Sequence, residues 1–191
     1  MTKAPETARA AARAAAAAFG GTPKVTEYLN ESEDRGVDIL ECGDRPEPGY
    51  ASYSTVTLHL SENLLEGQDI RVELMAVVES SAVAMANVLA ASALNVSDSG
   101  WLAAPGVVFP GLLVQYELSS TLEHVMWMEP FAHEQLTEVD LGDGVTAHWL
   151  MAMPISEAER QFLVSEGYDA LENRFDEARV EYWNLSREPL V

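Results

Sequence analysis

The segment Val145 to Met153 does most to constrain how this chain folds. Ala147, Trp149, Leu150, Met151 and Met153 are apolar and leave neither face of a strand for water. Such a strand sits in the middle of a sheet covered on both sides. The next residues, Pro154-Ile-Ser-Glu-Ala-Glu159, stop it and start a helix. Ser156 takes the N-cap position and Glu159 follows three residues later, which is the spacing of a capping box. The chain must therefore build a sheet with apolar cover on both faces.

The remaining elements fit that requirement. An alanine-rich helix is expected over residues 5–19, opened by Pro5 and closed by Gly20-Gly21. Its side chains are small, so it is expected to lie on the surface. Short alternating strands are expected at Lys24 to Leu29, Val37 to Cys42 and Tyr50 to Leu60, with an irregular Pro46/Pro48 loop between the last two. Arg71 to Val78 reads as a strand. A helix from about Ala82 to Leu94 follows it, capped by Ser80 or Ser81 and packed through Val83, Ala86, Ala90 and Ala93.

Further strands are expected at His124 to Glu129 and at Gln135 to Leu141. The second turns through Gly142-Asp-Gly144 into Val145 to Met153. Two helices close the chain, to about Ser165 and from Tyr168 to about Arg179, with Phe162, Leu163, Leu171 and Phe175 as core contacts. Residues 180–191 form a tail carrying Trp183. These elements give a single α+β domain: a mixed, mostly antiparallel sheet with helices packed on it. Residues 1–22 form the N-terminal helix segment and 23–191 the domain proper.

Charge comes next. The 191 residues hold 11 Lys and Arg against 31 Asp and Glu, a formal net charge of -20. This balance repels nucleic acid and anionic membrane and draws in basic partners. A salt-adapted proteome is the other reading of the same acidity. No Lys or Arg occurs between Arg71 and Arg160, a span that contains twelve acids. Seven of them fall close together: Glu117, Glu123, Glu129, Glu134, Glu138, Asp140 and Asp143. With no local cations, they face solvent, a basic partner or an arginine from elsewhere. Together with Phe131 as an apolar anchor they form the candidate partner-binding set. Trp127 is assigned to the core, because strand aromatics pack inward.

Catalytic signatures do not emerge. Gly49-Tyr-Ala-Ser52-Tyr has the wrong spacing for a nucleophile elbow, and Lys3 and Lys24 are the only lysines. His133-Glu134 lacks the second histidine of a metalloprotease, and there is no cysteine cluster, so no metal or other cofactor is expected. The alternative of a hydrolase would use carboxylates with His59 or His148, both placed in strands, and would need a deep pocket. A third reading is a scaffold that forms homo-oligomers through an exposed Val107-Val-Phe109 loop. Oligomeric state stays open. Cys42 is the only cysteine and reads as a buried structural thiol. With no signal-peptide core and no apolar span, a cytoplasmic protein is expected.

Three places resemble the suppressor-of-fused family. The first is Tyr50-Ala-Ser-Tyr-Ser-Thr-Val-Thr-Leu-His-Leu60 with Arg71-Val-Glu-Leu74. The second is Trp101 with Pro105-Gly106. The third is Pro154 to Glu159 with Gly167, Ala170-Leu171, Phe175 and Ser186-Arg187. The resemblance implies an α+β domain that acts by binding proteins, with no catalytic residues to carry over. It also implies kinship with small bacterial members that look like immunity proteins or antitoxins. A toxic nuclease as the partner is an inference from charge, not from the family pattern.

Overall fold

The computed structural model describes residues 4–191. In chain order the elements are α1 (Glu6–Phe19), β1 (Lys24–Leu29), β2 (Gly36–Gly43), β3 (Tyr50–Thr55), β4 (Leu64–Leu65), β5 (Gln68–Asp69) and β6 (Val72–Glu79). Then come α2 (Met85–Ser99), β7 (Val108–Phe109), α3 (Leu112–Gln115), β8 (His124–Met128), β9 (Glu138–Gly142), β10 (Val145–Ile155), α4 (Glu157–Glu166) and α5 (Tyr168–Ala178). Eight strands form one sheet in the order β1-β2-β3-β6-β10-β8-β7, with β9 also on β10; β4 and β5 make a separate hairpin. Only β6–β10 is a parallel pair, and the other pairs are antiparallel.

β10 is the central strand its sequence requires. It pairs with β6 on one side, and with β9 and then β8 along the other. Its side chains alternate cleanly. Leu150 and Ala152 join the α2 side of the core. Trp149 and Met151 join the α1 side, and Met153 and Ile155 meet Leu163, Leu171 and Phe175 of α4 and α5. Both faces are thus covered by helices. The capping box at Ser156 is present in both directions.

Several expectations need correction. α1 does not lie on the surface. Ala11, Ala15 and Phe19, four residues apart, are buried against Leu40, Cys42, Leu141 and Ala147. Small side chains here permit close approach of the helix to the sheet rather than preventing burial. Strand β3 stops at Thr55, and Leu58–Leu60 form a short 3-10 turn, which leaves Leu60 exposed. His59 lies in that turn and not in a strand. α2 starts at Met85, Val83 is exposed, and no serine side chain caps the helix. The segment after His133 forms a 3-10 turn before β9 begins at Glu138. Val107-Val-Phe109 is no exposed loop: residues 108–109 pair with β8, and Phe109 is buried between Trp101 and Trp127. The neighbouring Gly106 has φ +79°, and a Cβ there would meet Tyr168 at 3.0 Å, so only glycine suits this turn.

Candidate protein-docking surface

The C-terminal tail builds the most distinctive surface of the molecule. α5 ends where Arg179 adopts a left-handed conformation and Val180 N–H bonds back to Phe175 C=O. The chain then reverses across the end of the sheet. Two groups strap it down: Ser119 Oγ donates to Leu185 C=O at 2.5 Å, and Thr121 Oγ1 donates to Arg187 C=O at 3.2 Å. Arg187 anchors it further by a two-pronged bond to the buried Glu159, at 2.7 and 3.0 Å. Held this way, Tyr182 and Trp183 lie against the sheet.

There they complete a run of four aromatic rings. Phe131 meets Tyr182 at 4.8 Å, Tyr182 meets Trp183 at 4.7 Å and Trp183 meets Tyr50 at 6.0 Å, each edge to face. Burial, and then the neighbouring Tyr50, push the Tyr182 phenol above its usual range. Clefts open on both sides of Trp183. One, of about 190 Å³, is lined by Pro46, Glu47, Tyr50, Val77, Tyr182 and Trp183. The other, of about 210 Å³, includes Glu79, Glu117, Leu118 and Trp183. Glu79 stands directly opposite Tyr50 in the β3–β6 pair, so the two side chains leave the sheet on the same face. Among the described residues, no cation lines either cleft. Arg45, next to Pro46 in the chain, lays its side chain along Gly20 and Gly21.

The structure gathers two members of the sequence-derived set at this surface, Phe131 and Glu117. Four others, Glu134, Glu138, Asp140 and Asp143, are exposed around the β9–β10 hairpin and the turn before it. Glu123 and Glu129 flank opposite ends of β8, about 20 Å apart at 3.3 Å per residue. Glu123 lies 3.8 Å from His124. The other six make no ion pair among the described residues. Trp127 is fully enclosed in the core. Sequence reasoning missed Tyr50, Glu47 and Tyr182, and it noted Trp183 only as part of the tail. Adjacent Tyr182-Trp183 in a polar tail was the available signal.

Of the residues that could support chemistry, Glu73 and His59 are tied into the core. Glu73 is fully buried and accepts from the Thr55 hydroxyl, from the N–H groups of Leu58 and His59 at 3.3 and 3.2 Å, and from His59 Nδ1 at 2.5 Å. His59 Nε2 is enclosed with no partner among the described residues. His148 lines a separate cleft of about 180 Å³ with Glu129 and Thr137 over apolar walls. The two histidines of the hydrolase alternative therefore sit in different surroundings.

Among the described residues, one group has metal-like proximity: Glu123, His124 and Glu157. Its hydrogen bonds do not suit an ion. His124 Nδ1 accepts from Gly111 N–H at 2.9 Å, which puts the ring proton on Nε2, the atom 2.8 Å from Glu157. A metal on Nε2 would leave Nδ1 needing a proton against another proton. Arg160 also binds both Glu157 oxygens at 2.7 Å and, with Gln161 and His124, holds that carboxyl well below the usual carboxylate range.

Comparison with known proteins agrees with the fold. The family model "Suppressor of fused protein (SUFU)" matches residues 33–188. The chain belongs to the suppressor-of-fused family. It is also 35% identical to the immunity protein YqcF of Bacillus subtilis over 182 residues, covering 94% of this chain and 95% of that protein. A SUFU homolog from Neisseria gonorrhoeae superposes with a TM-score of 0.77 at 16% identity, over 97% of each chain. A chain of the Sufu–Fu complex superposes at 0.67 and 14% identity, over 99% of this chain and 93% of that one. At such identities the last two speak for the SUFU fold alone. Among the described residues, no helix is long and apolar enough to cross a membrane.

Proposed function

We propose that this SUFU-family chain is a non-enzymatic binding protein that neutralises a toxin by occluding it, in the manner of an immunity protein. The observation that carries this reading is its likeness along nearly the whole chain to a protein named for immunity. The charge supports it and indicates a basic partner. A surface at net -20 accelerates encounter with a cationic protein. The same field disfavours nucleic acid and anionic membrane as partners. In this reading the partner meets Glu117, Glu123, Glu129, Glu134, Glu138, Asp140 and Asp143, with Phe131 packing at the contact. The protein works in the cytoplasm, where a toxin would act.

The test is co-expression with a toxin encoded by a neighbouring gene, followed by capture at about 0.05 M and about 0.5 M salt. Restored growth, with capture that weakens as salt rises, is the expected result. Growth arrest despite soluble expression would remove the immunity reading. Salt-insensitive capture would remove only the basic partner. Replacing Glu134, Glu138, Asp140 and Asp143 by their amides lowers the association rate and flattens its salt dependence if these acids steer the encounter.

A further inference from the structure

The geometry points to the cleft between Tyr50, Trp183 and Glu47 as a receptor for an arginine side chain presented by a basic protein partner. This rests on the binding-protein reading above and names the contact that reading leaves open.

Three observations carry it. The cleft walls are aromatic: Tyr50, Tyr182 and Trp183 line it, with Tyr182–Trp183 and Tyr50–Trp183 packed edge to face. Aromatic faces attract cations, and a planar guanidinium stacks on them while its edge hydrogen-bonds to a carboxylate. The rim supplies that carboxylate as Glu47, which is exposed and makes no ion pair among the described residues. Finally, the floor is Val77, a buried apolar residue suited to the methylene stem of arginine. A neutral apolar side chain would leave Glu47 without use, and an acidic one would meet a surface at net -20. A lysine ammonium lacks the plane that stacks on an aromatic ring.

The site is preformed. The tail that holds Trp183 is fixed by Ser119, Thr121 and Glu159, so little ordering remains when a ligand enters.

The experiment titrates the full chain with a blocked peptide, acetyl-Gly-Gly-Arg-Gly-Gly-amide, at low salt. The readout is the indole N–H resonance of Trp183, with the enclosed Trp127 and Trp149 as internal controls. Expected is a saturable shift at Trp183 alone. The neutral citrulline peptide binds about fivefold more weakly or worse. Glu47→Gln and Tyr50→Leu each weaken the arginine peptide by about threefold or more. Glu47 lies on an exposed loop, so Glu47→Gln decides the matter if Tyr50→Leu fails to fold. No saturable shift, equal binding of citrulline, tighter binding of the lysine peptide, or indifference to Glu47→Gln overturns the proposal. These titrations need no toxin. Peptide silence while a toxin is still captured overturns the cleft alone. Peptide binding with no toxin captured supports the cleft and removes the immunity reading.

Discussion

Glu159 and Arg187 form a buried, two-pronged ion pair that ties the start of α4 to the end of the chain. Glu159 has no exposed surface, and it also accepts from the N–H groups of Ser156 and Leu190 at 2.8 and 3.1 Å. Arg187 donates to Pro154 C=O at 2.8 Å and lies 5.5 Å from the Phe175 ring centre. One carboxylate therefore caps a helix and holds the tail.

Breaking this pair leaves a buried charge without its partner. Glu159→Gln keeps a capping residue yet strands Arg187, and is expected to cost about 3–5 kcal/mol. Arg187→Met costs a similar amount. The double variant costs less than their sum by more than about 1 kcal/mol, because the second change removes the charge the first one stranded. Urea unfolding of the four proteins measures this. In both single variants the Trp183 indole resonance is expected to move, since the tail loses its anchor.

Glu73 is the second buried acid that holds structure. Its carboxylate gathers the Thr55 hydroxyl, two backbone N–H groups and His59. Replacing it by alanine orphans those donors in the core, each at about 1–3 kcal/mol. Glu73→Ala is expected to unfold the chain or lower its stability by several kcal/mol, with the 3-10 turn at Leu58–Leu60 losing amide-exchange protection first. Unchanged melting would show that the donors find water.

His133 provides a pH-dependent contribution. Its ring packs at a tilt against Phe19, 4.9 Å between centres, its Nε2 has no partner among the described residues, and burial lowers its pKa. The folded state thus prefers the neutral ring. Stability is full above the unfolded value near 6.5 and falls as pH drops through the lower folded value. Melting temperatures between about pH 7.5 and pH 5 should decline more steeply for the wild type than for His133→Leu. Parallel slopes would show that His133 protonates freely in the fold.

The alanine face of α1 tests whether the helix truly packs. Ala11 and Ala15 have no exposed surface. Ala15→Leu forces bulk between helix and sheet and is expected to cost about 1–3 kcal/mol. The same change at the exposed Ala17 is expected to cost well under 1 kcal/mol. Thermal melting of both variants separates a docked helix from a loose one.

Local signals were readable without a structure. β10 was legible because it is apolar on both faces, and α4 because Ser156 and Glu159 announce its start. β1, β2 and β6 follow from alternation, and β8 from a short apolar run, while the alternating pattern of Tyr50–Leu60 runs five residues past the end of β3 through a 3-10 turn. The unbalanced acids were a matter of counting. The burial of helix α1 is not legible for a specific reason: burial depends on what lies opposite, and a run of alanines carries no record of that.

The sequence by itself determined the α+β class, the central strand and the acidic field, because periodicity, capping and charge act within a few residues or over the whole chain. Tertiary structure alone decided that Tyr50 meets Trp183, that Glu73 meets His59 and that Glu159 meets Arg187. Those partners are far apart in sequence, and only the packing of sheet, helices and tail brings them within reach.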